Sequence, residues 1–428
     1  MKHLLRLCLG HLGNYKEKEY VKRTIMKIAL KDIIRKFPRY SKNVLTISYY
    51  KFLSVFYTRK EKFCDAWLIC ERGIEAQDNA YMLFKYIRTQ YPEKKVYYLI
   101  DFSKPDYKRV KDFGNLICYN SFEHKMALFF ASHFISTHGG YMMPWSYLLF
   151  RALFRRKNSV TYVMLNHGVL KDDVSKTMNK RLTGFDFFMA TTKPEKEWLV
   201  SNLHFGFSEK DVLLTGAGRY DYFTDSLEKR QIVFLPTWRK YLIARDLDKK
   251  NNYCLVEDFE KTPYFKAIFG FLNNKRLHSL LNENDIRLIF RPHPEAQRMC
   301  PLLADLPDNI VVATNDNTFL LDLLQESALL ITDYSSVAFD FAYMKKPLIY
   351  YQFDYNDFLD KHYAKAYFDY EKDGFGLVLD TEEKLIDEIE NNIKNNFEMN
   401  GIYQNRVNNT FAYFDNKNCE RIYNAISE

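Results

Sequence analysis

Short apolar runs recur along most of the chain, each closed by a polar or glycine-containing turn. Between residues 66 and 219 they read "AWLIC", "KVYYLID", "NLICYN", "HFISTH", "VTYVMLNHG", "FDFFMATT" and "DVLLTGAGR". Helical patterns fall between several of them, near 79–91, through "EHKMALFFA" and at "PEKEWLVSNL". Continuous apolar strands alternating with helices predict crossover units and a mainly parallel sheet, because a strand covered on both faces needs no polar side. After residue 226 the rhythm restarts with "QIVFLPTWR", "IRLIFRPHP", "NIVVAT", "ALLITDYSS", "PLIYYQFD" and "FGLVLD". The pattern therefore predicts an α/β protein with two Rossmann-like domains, 63–225 and 226–380, facing a cleft. Residues 381–428 read as further helices. In such sheets ligands bind beyond the carboxyl ends of the strands.

Residues 14–62 depart from this rhythm. "YVKRTIMKIALKDIIRKFPRY" and "VLTISYYKFLSVFYTRK" mix basic and apolar positions, with Val21, Ile25, Ile28 and Ala29 near helical spacing. The charge count sharpens the contrast. The chain holds 62 basic and 54 acidic residues; 16 and 4 of them lie in 1–62, leaving 46 and 50 for the rest. A basic amphipathic segment matches an anionic membrane surface, and it matches equally a helix packed on the body with a solvated basic face. "YMMPWSYLLFRALFRRKN" (141–158) raises the same pair of readings. It is either an interfacial segment anchored by Trp145 and Tyr147, with Arg151, Arg155, Arg156 and Lys157 toward headgroups, or a buried helix ending in cations.

With 428 residues, 47% of them hydrophobic, two domains of ordinary size are expected. Seven cysteines without a C-x-x-C pair argue for a reducing compartment and against a disulfide framework or a zinc site. No apolar stretch reaches the roughly 18–20 residues of a spanning helix. The N-terminus is a poor secretory signal. These features predict a cytoplasmic protein attached peripherally to a membrane.

Four polar clusters close predicted strands. His167 in "LNHGVLK" stands beside Gly168, where it could serve as a base near neutral pH or play a structural part. Thr237 and Arg239 in "LPTWRK" could hold phosphate oxygens or form a loop ion pair. In "RPHPE" two prolines fix the backbone around Arg291 and His293, a rigid cation pair suited to a pyrophosphate. In "TDYSS" a strand runs into a helix, whose free N–H groups make an anion site with Ser335 and Ser336, or a cap by Ser335 or Asp333. P-loop, dinucleotide, H-E-x-x-H and G-x-S-x-G patterns are absent. No carboxylate pair is poised for Mg²⁺, so a metal requirement stays open. The clusters lie in the nearly neutral part of the chain, which argues against nucleic acid as partner.

In this order the clusters resemble the CDP-glycerol glycerophosphotransferases of teichoic-acid and capsule synthesis. Members of that family carry "HGTPLK"-, "GxPRxD"- and "APTWR"-type stretches, then "RPHP" and "TDYSS…FD". Here these read "HGVLK", "GAGRYD", "LPTWR", "RPHP" and "TDYSSVAFD", spanning roughly 130–355. Val169-Leu170 replaces Thr-Pro, and Asn166 stands where the family has Trp. The resemblance implies a glycosyltransferase-B-like architecture on the cytoplasmic face of a membrane. It implies a CDP-glycerol or related CDP-polyol donor, a lipid-linked glycan acceptor, and release of CMP. It gives His167 the part of general base and His293 that of acid toward the leaving CMP. It gives Thr237, Arg239, Arg291, Thr332, Asp333, Ser335, Ser336 and Asp340 to the donor, and Lys171 and Arg219 to the acceptor side. A nucleotide-sugar glycosyltransferase of the same architecture and a non-catalytic basic binding protein remain the alternatives.

Overall fold

The computed structural model describes residues 41–154, 160–224, 229–245, 253–303, 306–314, 318–361 and 364–427. The basic stretch 14–40 and the cations Arg155, Arg156 and Lys157 lie outside the described residues.

Seven strands form the first sheet: β1 (Trp67–Cys70), β2 (Val96–Ile100), β3 (Leu116–Cys118), β4 (His133–Ser136), β5 (Thr161–Met164), β6 (Phe187–Ala190) and β7 (Val212–Leu214). Their order is β3-β2-β1-β4-β5-β6-β7, and all the pairings are parallel. Six strands form the second: β8 (Gln231–Leu235), β9 (Arg287–Phe290), β10 (Ile310–Val312), β11 (Leu329–Thr332), β12 (Leu348–Tyr351) and β13 (Gly376–Leu379). They run β10-β9-β8-β11-β12-β13, again parallel throughout. Both are doubly wound sheets. Each reverses its strand order once, at β1/β4 and at β8/β11, and such a reversal opens a crevice for ligands at the carboxyl ends. The expected pair of parallel α/β sheets is what the chain forms.

Local chemistry sets the elements. The strands are apolar on both faces and β1, β2, β11 and β12 are buried at every position. Helix α1 (Asn79–Gln90) starts where Asp78 accepts from the Asn79 N–H. Helix α2 (Tyr147–Phe154) and helix α3 (Lys193–Ser201) follow, the latter capped by Thr192, whose hydroxyl accepts from the Glu195 N–H. Helix α4 (Val337–Tyr343) leaves β11, and α5 (Glu382–Lys394), α6 (Gly401–Thr410) and α7 (Asn418–Ser427) close the chain.

The tail crosses between the sheets. Asn274, beside the second sheet, bonds Glu382 of α5. In α7, by contrast, Tyr423 packs on Trp67 of β1, and the Asn418 and Cys419 N–H groups donate to Asp221. One apolar core joins the two halves, containing Val163 and Val169 from the first and Val233 and Val337 from the second.

One expectation needs correction here. Trp145 and Tyr147 are buried in the core of the first sheet, against Phe129, Phe150 and Tyr162. They are packing residues and not interfacial anchors. Arg151 is turned to Asp186 and the Gly184 carbonyl.

Candidate active site between the two sheet rims

The first rim gathers groups from three strand ends. Glu71 follows β1 and accepts from the N–H groups of Gln77, Asp78 and Tyr81, at 3.0, 2.9 and 3.1 Å. Burial, reinforced by Asp78, pushes its pKa up to about 8. His138 follows β4 and His167 follows β5. Those strands pair with Ser136 opposite Met164, so the two histidines leave neighbouring strands almost side by side. Their rings stack, with centroids 4.4 Å apart and planes 16° from parallel.

His167 is exposed to the cleft, yet protein surrounds it closely. The water so excluded lowers its pKa; Asp78 opposes that shift, and Arg72 and Arg219 add to it. His138 is half-buried. Burial, followed by His167 and Arg72, brings it down to about 3.

The loop carrying His167 is tied down at both ends. Asn166 adopts φ 59°, a left-handed conformation that asparagine tolerates better than most residues. Its carbonyl accepts from Asn79 Nδ2 at 2.8 Å. Leu170 N–H donates to the buried Glu195 at 2.7 Å, and burial raises that carboxyl to about 7.

Arg219 joins this rim to the other half. Its Nη1 donates to Asp78 at 2.6 Å and to the His167 carbonyl at 3.0 Å, and its Nε donates to Asp340 of α4 at 2.8 Å. Burial works against the guanidinium charge, but Asp340 and Asp78 outweigh it and hold its pKa above the ordinary value. The two carboxylates respond oppositely. At Asp340 burial wins and the pKa rises; at Asp78 burial also pushes upward, but Arg219 prevails and it falls. We take the charged triad as the state of this contact, since the guanidinium reaches both carboxylates at hydrogen-bond distance.

The second rim divides the predicted donor residues. Arg239 is fully buried: Nε and Nη2 donate to Asp354, Nη2 also to Asp333, and Nη1 to the Thr237 carbonyl. Rings of Tyr264, Tyr334 and Phe358 enclose it, each 5.0 Å from the guanidinium carbon. Asp333 accepts from the N–H groups of Thr237 and Tyr334. Thr332 donates to the Leu235 carbonyl. Arg239, Thr332, Asp333 and Asp340, all expected on the donor side, belong to this buried frame. Their polar groups are buried and bonded to protein, and they hold the loops that carry the rest. Of the two residues expected on the acceptor side, Lys171 is buried on Asp172 at 2.7 Å, and Arg219 bridges Asp78 and Asp340.

Five positions of this rim keep a different character. Arg291 follows β9, its N–H bonded to the Phe234 carbonyl, and burial lowers its pKa to about 10. His293 is half-buried and stacked on Trp238, with centroids 5.8 Å apart. Ser335 and Ser336 are half-buried at the start of α4. The Ser335 hydroxyl accepts from the Val337 N–H, while Ser336 makes no capping bond. Thr237 Oγ1 is buried without a hydrogen bond among the described residues. Arg291 and Ser335 leave strands on either side of β8, about 10 Å apart at ~4.8 Å per strand.

The rims also touch at Gly168. A Cβ placed on Gly168 would collide with the Ser336 hydroxyl, so glycine lets the His167 loop lie against the "SS" turn. Sequence reasoning singled out both sides of that contact. It missed His138, Glu71, Asp78 and Glu195, although "STHGG" and "CERGIEAQDN" mark strand ends at the first crevice. Among the described residues no group of three or more His, Cys, Asp or Glu could hold a metal ion.

Comparison with known proteins agrees with this architecture. A family model described as CDP-glycerol:poly(glycerophosphate) glycerophosphotransferase matches residues 52–428. The minor teichoic acid biosynthesis protein GgaB of Bacillus subtilis (strain 168) is 35% identical over 363 residues, covering 85% of this chain and 39% of that protein. A teichoic acid poly(glycerol phosphate) polymerase of Staphylococcus epidermidis is 22% identical over 361 residues, covering 74% of this chain and 44% of its own length. The chain thus spans about two-fifths of the length of these curated relatives. Among solved structures, the wall teichoic acid polymerase TagF superposes with a TM-score of 0.63 at 20% identity, covering 92% of this chain and 97% of that one. MnaA of S. aureus, solved with UDP, superposes with a TM-score of 0.52 at 14% identity, covering 85% and 95%.

Proposed function

The chain belongs to the CDP-glycerol:poly(glycerophosphate) glycerophosphotransferase family, and on that premise we propose that it transfers glycerol phosphate, or a related polyol phosphate, from a CDP-activated donor to a hydroxyl of a lipid-linked glycan, teichoic-acid or capsule acceptor. The acceptor oxygen attacks the β-phosphorus, the bond to the bridging oxygen breaks, and CMP leaves. The observation that carries this reading is the apposition of Gly168 and Ser336, which sets a histidine-bearing loop against a hydroxyl-rich helix start.

In this reading His167 takes the acceptor proton, because it is exposed to the cleft and its lowered pKa keeps it neutral at pH 7. Arg291 and His293 offset the pyrophosphate. An anion beside Arg291 would recover part of the stabilisation that burial removes. Ser336, Thr237 and the N–H groups opening α4 hold the moving phosphate, while Ser335 braces the turn through its bond to the Val337 N–H. Such transfer rests on positioning and charge more than on covalent help. The 63–225 domain would receive the acceptor and the 226–380 domain the donor.

We further place the protein peripherally on the inner face of the cell membrane. Among the described residues no helix is long and apolar enough to cross a membrane. The helical stretch 41–55 and the residue just past it present Leu45, Phe52 and Phe56 at 71, 62 and 68% exposure. With Tyr49 they recur every three or four positions, an apolar stripe next to the basic stretch.

The test is CMP release from CDP-glycerol in the presence of a lipid-linked acceptor. His167→Ala and His293→Ala should each lower kcat by about 10²–10⁴-fold. Near wild-type rates for both, in folded protein, would sink these roles. UDP or GDP release in place of CMP would sink the donor.

A further inference from the structure

His138 is a residue that neither the motifs nor the family resemblance singles out, and it lies where it can govern His167. The imidazoles overlap at 4.4 Å with planes 16° apart. The His138 backbone is held on both sides: its N–H donates to the Ser136 hydroxyl at 3.1 Å, and that hydroxyl donates to the His138 carbonyl at 2.8 Å. Its Nδ1 lies 2.9 Å from the Thr137 hydroxyl, which fixes the ring about its own axis. The ring edge also meets Tyr141 at 90°.

We propose that His138 is a positioning residue for the transfer reaction, a fixed aromatic plate that orients the His167 ring toward the cleft and shields one face of it from water. The proposal rests on His167 being the base of the reaction proposed above, and it adds a residue to that site.

Two physical effects follow from the stack. A flat neighbour at this spacing restricts the rotation of His167, so the base does not have to be ordered in each turnover. Covering one face also removes water that would solvate an imidazolium, and desolvation is the largest cause lowering the pKa of His167. The other charges facing His167 are Asp78 at the start of α1, Arg72 in the preceding loop and Arg219 in the 218–222 turn. Asp78 favours the imidazolium and the two arginines oppose it. With those three unchanged, loss of His138 moves His167 toward the free-histidine value near 6.5. A base that protonates at higher pH is lost from the acid side of the activity profile, while its alkaline side is unaffected.

The experiment uses the full chain with ¹³C-labelled histidine. The His167 ring resonance, assigned from a His167→Gln variant, is titrated by NMR in wild type, His138→Ala and His138→Phe. In His138→Ala the midpoint should rise toward about 6.5. In His138→Phe, which keeps a flat ring there, it should stay near the wild-type value. The acid limb of kcat for CMP release should move with the midpoint, its share of the loss reaching roughly three- to four-fold near pH 6 and fading above pH 8. A residue that only supported the fold would lower thermal stability and leave the midpoint in place. An unmoved midpoint in folded His138→Ala, or equal midpoints for the Ala and Phe variants, overturns the proposal. If the midpoint moves as stated while the wild type releases no CMP from any CDP-polyol, the catalytic reading fails and the control of His167 by His138 stands.

Discussion

At the strand-order switch of the second sheet, Arg239 lies against Asp333 and Asp354 with all three side chains out of water. At the corresponding switch of the first sheet, His138 and His167 stack near Asp78 and open to the cleft. The strand orders match over six positions, the first sheet adding only β7 at its edge, so the fold does not account for the difference. It lies in which charges are neutralised inside the protein. The second rim closes a cation between two carboxylates and ring faces, and that makes a rigid frame around Arg291, Ser335 and Ser336. The first rim carries groups whose protonation responds to their surroundings: Glu71 is pushed up to about 8 and His138 down to about 3, by burial above all. In the proposed reaction the second rim would serve to hold an anion and the first to move a proton.

The largest effect should come from the frame. Arg239→Met leaves Asp333 and Asp354 facing each other in the interior, and breaking such a buried pair costs about 3–5 kcal/mol. Urea unfolding should show that loss. Replacing both aspartates by asparagine in the same chain should recover part of it. Wild-type stability for Arg239→Met would make this rim as adaptable as the first and erase the contrast.

Arg291 should behave in the opposite way. Its cation is buried at a strand end, and burial lowers its pKa to about 10, so Arg291→Met should register chiefly in donor binding. A charged hydrogen bond to the donor is worth about 1.5–3 kcal/mol, so kcat/KM for the donor should fall about 10- to 150-fold. Stability lost with kcat/KM intact would assign Arg291 to the frame with Arg239.

The contrast shows how much could be read from the chain alone. The strands were legible because they are apolar on both faces: each of the quoted runs from "AWLIC" to "FGLVLD" contains an observed strand. The polar clusters were legible as strand ends but not as roles. "LPTWRK" and "TDYSS" look alike on paper, as polar groups after a buried run. Only packing separates Arg239, bonded to Asp354, 115 residues away, from Ser336, which faces the cleft. His138 was missed for the same reason. The stack that gives it meaning joins two strands that are neighbours in space and 29 positions apart in sequence. Arg219 carried an acceptor-side expectation from "GAGRYD", yet its partners Asp78 and Asp340 come from both halves of the chain. Long-range pairing of this kind leaves no local spacing to read.

The smallest predicted effect tests the contact of the rims at Gly168. The two serines of "TDYSS" differ in a single contact. Ser335 accepts from the Val337 N–H at 3.3 Å, a local turn bond, whereas Ser336 makes no such bond and meets Gly168 of the opposite half. Loss of a local bond should lower stability, so Ser335→Ala should cost up to about 1 kcal/mol with little change in turnover. A hydroxyl that meets the transferring phosphate should show in catalysis. Ser336→Ala should therefore lower kcat/KM by about 10-fold, the low end for a hydrogen bond to a charged group, at unchanged stability. If both variants alter only stability, the turn is a helix cap and the phosphate is held elsewhere, by Arg291 and His293. If Ser335→Ala proves the catalytic variant, the turn is an anion site read from the wrong hydroxyl. The first outcome would confine donor binding to the β9 end of the rim, and the second would leave it spanning the strand-order switch with Ser335 in place of Ser336.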